Sequence, residues 1–152
     1  MYDEADSEID ETMITTKLSK LRQYIKYLND IKKISLNDFK RDFMIIGAAE
    51  RYLHVSIECI IDIGNEIISQ LQLRRPERYR DIQSILAEAG IIPENFEGVM
   101  ASMMGFRNLL VHDYAPVDLD LVYEFLQTRI SDFENFSRHI AEWLSGHRST
   151  RI

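Results

Sequence analysis

Cysteine is almost missing from this chain: Cys59 stands alone inside an apolar stretch. One thiol cannot close an internal disulfide, so the fold does not depend on an oxidising compartment. No apolar run approaches the ~20 residues needed to span a bilayer. The first residues are acidic, not basic then apolar, which predicts no secretory signal peptide. A cytoplasmic protein is expected. The 3 prolines and 6 glycines fall at segment ends more often than inside segments. There is no internal repeat, low-complexity linker or second domain. At 152 residues the chain suits one domain with a sizeable core.

Bases are absent from residues 1–12, which hold Asp3, Glu4, Asp6, Glu8, Asp10 and Glu11. The formal charge is −7, and removing these six acids leaves 18 bases against 19 acids in residues 13–152. The folded part is therefore close to neutral. That argues against broad, non-specific nucleic-acid binding, which relies on many phosphate contacts, and leaves room for a small basic site. The acidic residues 1–12 read as a solvated, disordered tail, with partner docking or nucleic-acid mimicry as the alternative.

What fills the rest is helical periodicity. Ile14, Leu18, Leu21, Ile25, Leu28 and Ile31 lie three and four apart, on one face of a helix starting at Thr12 or Thr15. Ser35, three before Asp38, reads as an N-cap. A long second helix is expected from Leu36 to Leu73, with Phe39, Phe43, Ile46, Glu50, Leu53, Ile57, Ile60, Gly64, Ile67 and Leu71 as its stripe. Pro76 suits the first turn of a short third helix carrying Tyr79, Ile82, Ile85 and Leu86, closed by Gly90. A fourth is expected from Glu94 to His112, on a stripe of Phe96, Met100, Met103, Arg107, Leu110 and Tyr114. The fifth runs from Asp118 or Asp120 to Leu144, with residues 146–152 as a short tail. Short connections imply an all-α, up-and-down antiparallel bundle of four to five helices.

The fourth helix breaks its own pattern, and function tends to sit where local rules fail. Arg107 occupies a core position. Tyr114, seven residues on, shares nearly the same face. His112 lies about 140° from Arg107 on an ideal helix and shares a face with Asn108 instead. Three arrangements would bring Arg107 and His112 together: a distorted last turn, the reach of the long Arg side chain, or a second subunit. Gly105, one turn earlier, permits close approach of a helix or ligand. The plainer reading pairs Arg107 with a core acid such as Glu50, places His112 on the helix dipole and packs Tyr114. On the second helix, Arg51, His54, Glu58, Asp62 and Asn65 form a polar strip, either a solvated face or a lining for the site. Paired Glu-x-x-His elements of a di-metal bundle are absent, and no metal is expected.

The motif Arg107-Asn108-x-x-x-His112-x-Tyr114, near a helix end and ahead of a proline and a long final helix, resembles the signature of the HEPN superfamily. It is specifically similar to the HepT-like toxin branch, and Glu58-Cys59-Ile60-Ile61-Asp62-Ile63-Gly64-Asn65 resembles that branch's second helix. The resemblance covers roughly residues 13–145. It implies a two-fold homodimer with facing motif helices. It also implies a cofactor-free, metal-independent ribonuclease acting on RNA and not DNA. Arg107 would hold the scissile phosphate, His112 would act as general base or acid, and Asn108 would orient phosphate or His112. Arg51, Glu58 and Asp62 would line the site. A separate nucleotidyltransferase antitoxin would silence the protein by adding AMP to Tyr114. The Met-rich, Arg-bearing face around Gly105 is then where two copies are expected to meet. The alternatives are a non-catalytic module binding nucleotide or a protein partner, and a helical scaffold that only oligomerises.

Overall fold

The computed structural model describes residues 9–110 and 116–149. Among them the chain forms seven α-helices: α1 (Thr12–Lys32), α2 (Leu36–Arg41), α3 (Phe43–Gln70), α4 (Ile82–Glu88), α5 (Glu97–Leu110), α6 (Leu119–Thr128) and α7 (Ile130–Ser149). Short 3-10 turns at Tyr79–Asp81 and Glu94–Phe96 lead into α4 and α5.

α1 begins at Thr12, and all six residues of its expected stripe are buried. It runs antiparallel to α3. Asp10 and Gln70 exchange two backbone–side-chain hydrogen bonds of 2.8 Å at one end, and Tyr27 packs on Tyr52 toward the other. α6 and α7 return along α1: Arg148 pairs with Glu11 at one end, and Gln127 donates to the Lys32 carbonyl at the other. α5 runs antiparallel to α6–α7, with Phe96 against His139 and Phe106 stacked on Phe125 at 4.1 Å. The result is the expected all-α, up-and-down bundle, with α2 and α4 as short braces.

Five boundaries differ from the sequence reading. The long second helix breaks at Asp42, whose carboxylate accepts from the Met44 and Ile45 amides and so caps a new helix. The break turns Phe43 out of its stripe, leaving it 82% exposed, while Phe39 stays fully buried. The last helix divides at Arg129, where the backbone leaves helical geometry (φ −121°, ψ 0°). Pro76 lies in the connection ahead of the 3-10 turn, not in a helix. Ile9 is buried and Asp10 and Glu11 are bonded, so the fold reaches at least four residues further toward the N-terminus than expected; the rest of the acidic stretch, residues 1–8, lies outside the described residues. At the C-terminus α7 continues to Ser149.

Two glycines have distinct tasks. Gly90 (φ +76°) closes α4 in a Schellman motif, its amide bonding to Ala87 and that of Ile91 to Leu86. Gly64 lets α4 dock on α3, because a Cβ there would lie 2.5 Å from Ile82 Cγ2. Ile82 is fully buried and branched at Cβ, so it cannot easily move aside. Gly64→Ala is therefore expected to destabilise by about 1–3 kcal/mol through overpacking, partly offset by helix propensity. Gly47, also within α3, has open space around it. Gly47→Ala should stabilise by about 1 kcal/mol. Opposite shifts in melting temperature check this pair.

Candidate active site on α3, α4 and α5

Arg107 sits in the last turn of α5, one-third exposed, and crosses to α3. Its Nε donates to Glu58 Oε2 at 2.5 Å. The same carboxylate oxygen lies 3.4 Å from His54 Nε2, one turn earlier on α3. The guanidinium also lies over the Tyr79 ring, 5.6 Å from its centroid. Tyr79 Oη in turn donates to Asn108 Oδ1 at 3.2 Å. Glu58 and Tyr79 therefore fix the guanidinium from two sides, and Tyr79 ties Asn108 to the same assembly. Among the described residues, the terminal nitrogens of Arg107 and the amide nitrogen of Asn108 have no hydrogen-bond partner. Together they are donors suited to phosphate oxygens.

The core-acid reading of Arg107 thus goes to Glu58, not Glu50. Glu50 is half-buried and pairs with none of the described residues, and burial raises its carboxyl above the ordinary range. The polar strip on α3 divides. His54 and Glu58 meet Arg107. Asp62 turns to α1, where Lys17 Nζ binds it at 2.9 Å, so it staples two helices and does not line the site. That hydrogen bond holds Lys17 above its usual range. Arg51 is exposed and bonded to none of the described residues. Among the described residues no three His, Cys, Asp or Glu side chains gather on one point. Cys59 is buried, which pushes its thiol up and leaves it a packing residue. His112 and Tyr114 lie outside the described residues.

The Met-rich face is not free for a second copy. Met100, Met103 and Met104 are all buried in the chain's own core. The open side of α5 carries Gly98, Ser102, Gly105 and Asn108. A cleft of about 390 Å³ runs beside it toward α4.

Tyr79 and its segment are what the sequence reading missed. The sequence places Tyr79 on a short third helix with Ile82, Ile85 and Leu86, whereas the structure sets it half-buried in the 3-10 turn ahead of that helix. Residues 74–80, Arg-Arg-Pro-Glu-Arg-Tyr-Arg, carry four arginines. Arg74 pairs with Glu88, whereas Arg75, Arg78 and Arg80 pair with no carboxylate among the described residues. A near-neutral total hid a local basic segment next to the motif.

A family model for ribonuclease HepT-like proteins matches residues 14–140. This chain belongs to the HepT-like family. Among HepT-like relatives, the mRNA nuclease HepT of Shewanella oneidensis is 32% identical over 124 residues, 82% of this chain and 92% of that one. The tRNA nuclease HepT of Aphanizomenon flos-aquae is 26% identical over 140 residues, 91% of this chain and 94% of that one. A solved structure of tri-AMPylated Shewanella oneidensis HEPN toxin in complex with MNT antitoxin superposes with a TM-score of 0.78 at 31% identity, over 86% of this chain and 98% of that one. Among the described residues of this HepT-like chain, no helix is long and apolar enough to cross a membrane.

Proposed function

We propose that this HepT-like chain is a ribonuclease toxin of a toxin–antitoxin pair, using Arg107, Asn108 and His112. The carrying observation is Arg107, clamped through Nε and ring face, with its terminal N–H groups bonded to none of the described residues and so available to an anion. The near-full-length likeness to HepT nucleases and to an HEPN toxin held by an MNT antitoxin supports the same reading.

In this mechanism His112 takes the proton from a ribose 2′-hydroxyl. The 2′-oxygen attacks phosphorus, the bond to the 5′-oxygen breaks, and that oxygen takes a proton from solvent, to which His112 returns the one it accepted. The products are a 2′,3′-cyclic phosphate and a 5′-hydroxyl. Arg107 and Asn108 stabilise the charge developing on the phosphate. His112 suits proton transfer near neutral pH because free imidazole titrates near 6.5. The chemistry needs no metal, so cleavage should survive a chelator.

Glu58 acts by orienting Arg107. An ion pair about one-third exposed contributes only ~0–1 kcal/mol, so Glu58→Ala should scarcely change melting. Cleavage should fall by about tenfold or more, because small misplacements of a transition-state donor are costly. Faster cleavage would mean instead that Glu58 restrains Arg107 from the phosphate.

Assembly follows from the family reading: a two-fold homodimer with the α5 ends facing each other, meeting on the Gly98–Ser102 side of the helix and not on its methionines. In a symmetric pair both copies use the same patch. Light scattering at micromolar concentration should give the dimer mass; a monomer would remove this part of the proposal.

A further inference from the structure

The cleft between α4 and α5 is lined by Arg80, Gln83, Ala101, Met104, Gly105 and Asn108. Its volume, about 390 Å³, lies at the small end of the ~300–1,000 Å³ range of small-molecule sites. Gln83 is nine-tenths buried, yet its carbonyl Oε1 has no hydrogen-bond partner among the described residues. Buried acceptors are almost always satisfied; this oxygen has almost no exposed surface as the side chain stands, and a turn of the Gln83 amide about its last bond brings it to the cleft that the residue lines. Gly105 leaves the floor bare: a Cβ there would meet nothing within 4 Å. Arg80 supplies a cation paired with no carboxylate among the described residues. The rim is Asn108, which Tyr79 ties to the Arg107 assembly. An apolar floor, a buried amide without a partner among the described residues, a guanidinium paired with none of their carboxylates and an adjoining phosphate-suited arginine are elements that can receive a single unstacked nucleotide.

We propose that this cleft binds the nucleobase of the nucleotide adjoining the phosphate at Arg107, in single-stranded RNA. The proposal rests on the ribonuclease reading above. With its amide turned toward the cleft, Gln83 accepts from an N–H on the base edge, Met104 and the Gly105 backbone lie beneath the ring, and Arg80 stacks on the base or holds the next phosphate. The same chemistry could come from an AMP unit attached to the protein, so the test must separate the two sources.

The probe is a short fluorescent 2′-O-methyl RNA oligomer, which cannot be cleaved because its 2′-oxygens are capped. Its binding is followed by anisotropy for the full chain and for Gly105→Leu and Gln83→Leu. AMP alone is titrated in parallel, and melting and light scattering are recorded for every variant. Gln83→Leu removes an unsatisfied acceptor, so its melting should not fall. Each variant should weaken oligomer binding by about tenfold. Wild-type oligomer binding in both variants would overturn the subsite. So would loss of AMP binding with oligomer binding unchanged, which assigns the cleft to an attached nucleotide. A monomeric Gly105→Leu that binds oligomer normally would make the cleft an interface between copies and overturn it too. Cleavage of ordinary RNA is measured separately. If the wild type never cleaves but both variants lose oligomer binding, the ribonuclease reading fails and the subsite stands.

Discussion

His112→Ala is expected to slow RNA cleavage by about 10²–10⁴-fold, the usual loss when a positioned general base is removed. Arg107→Ala should cost about 10²–10³-fold, comparable to removing one donor that stabilises a transition-state oxyanion. Both should relieve toxicity in cells. Neither should unfold the bundle. Arg107 is one-third exposed and its pair with Glu58 is of the kind that contributes ~0–1 kcal/mol. The buried residues of α5, Met100, Met103 and Met104, are untouched. Circular dichroism melts beside each cleavage assay separate chemistry from folding. A His112→Ala protein that cleaves as fast as wild type contradicts the mechanism. The scaffold reading is contradicted by the opposite result, lost cleavage with unchanged melting.

The second large effect concerns Tyr114. If a partner nucleotidyltransferase with ATP and Mg²⁺ transfers AMP to its hydroxyl, an anionic nucleotide is placed two residues from His112, in the path of the RNA phosphate. Tyr114→Phe keeps the ring and loses the acceptor oxygen. Intact-mass spectrometry should show one or more AMP units on wild type and none on Tyr114→Phe, which then stays active after the same treatment. Tyr123 is a poor substitute acceptor. Its hydroxyl donates to the Ile34 carbonyl at 2.7 Å, and its ring packs on Phe39. Full modification of the Phe variant would move the acceptor elsewhere and disprove this assignment.

Where the sequence was readable, periodicity alone decided the outcome. The α1 stripe is buried residue for residue, because one helix pressed against one partner needs one apolar face. The N-cap at Ser35 was legible for the same local reason, and its Oγ accepts from the Asp38 amide. Asp42 was harder. A capping carboxylate inside a continuous apolar pattern signals a break only if the chain bends there, which tertiary packing decides. The methionines of α5 were misassigned because apolar periodicity marks a buried face without saying whether the chain's own core or a second copy covers it. The choice between Glu50 and Glu58 for Arg107 depended on how α5 lies along α3, which spacing along one helix does not contain. Tyr79 and the arginines around it went unread because total charge averages over the chain, whereas phosphate binding depends on what is local.

Central to the account is metal-independent cleavage by 2′-hydroxyl attack at the Arg107–His112 site. The most direct test incubates purified wild-type protein with single-stranded RNA in excess chelator and analyses the new ends. The account predicts fragments ending in 2′,3′-cyclic phosphate and 5′-hydroxyl, formed at the same rate with or without chelator and missing for Arg107→Ala and His112→Ala. Cleavage that stops with chelator and returns with a divalent metal, or that leaves 5′-phosphate ends, would contradict it.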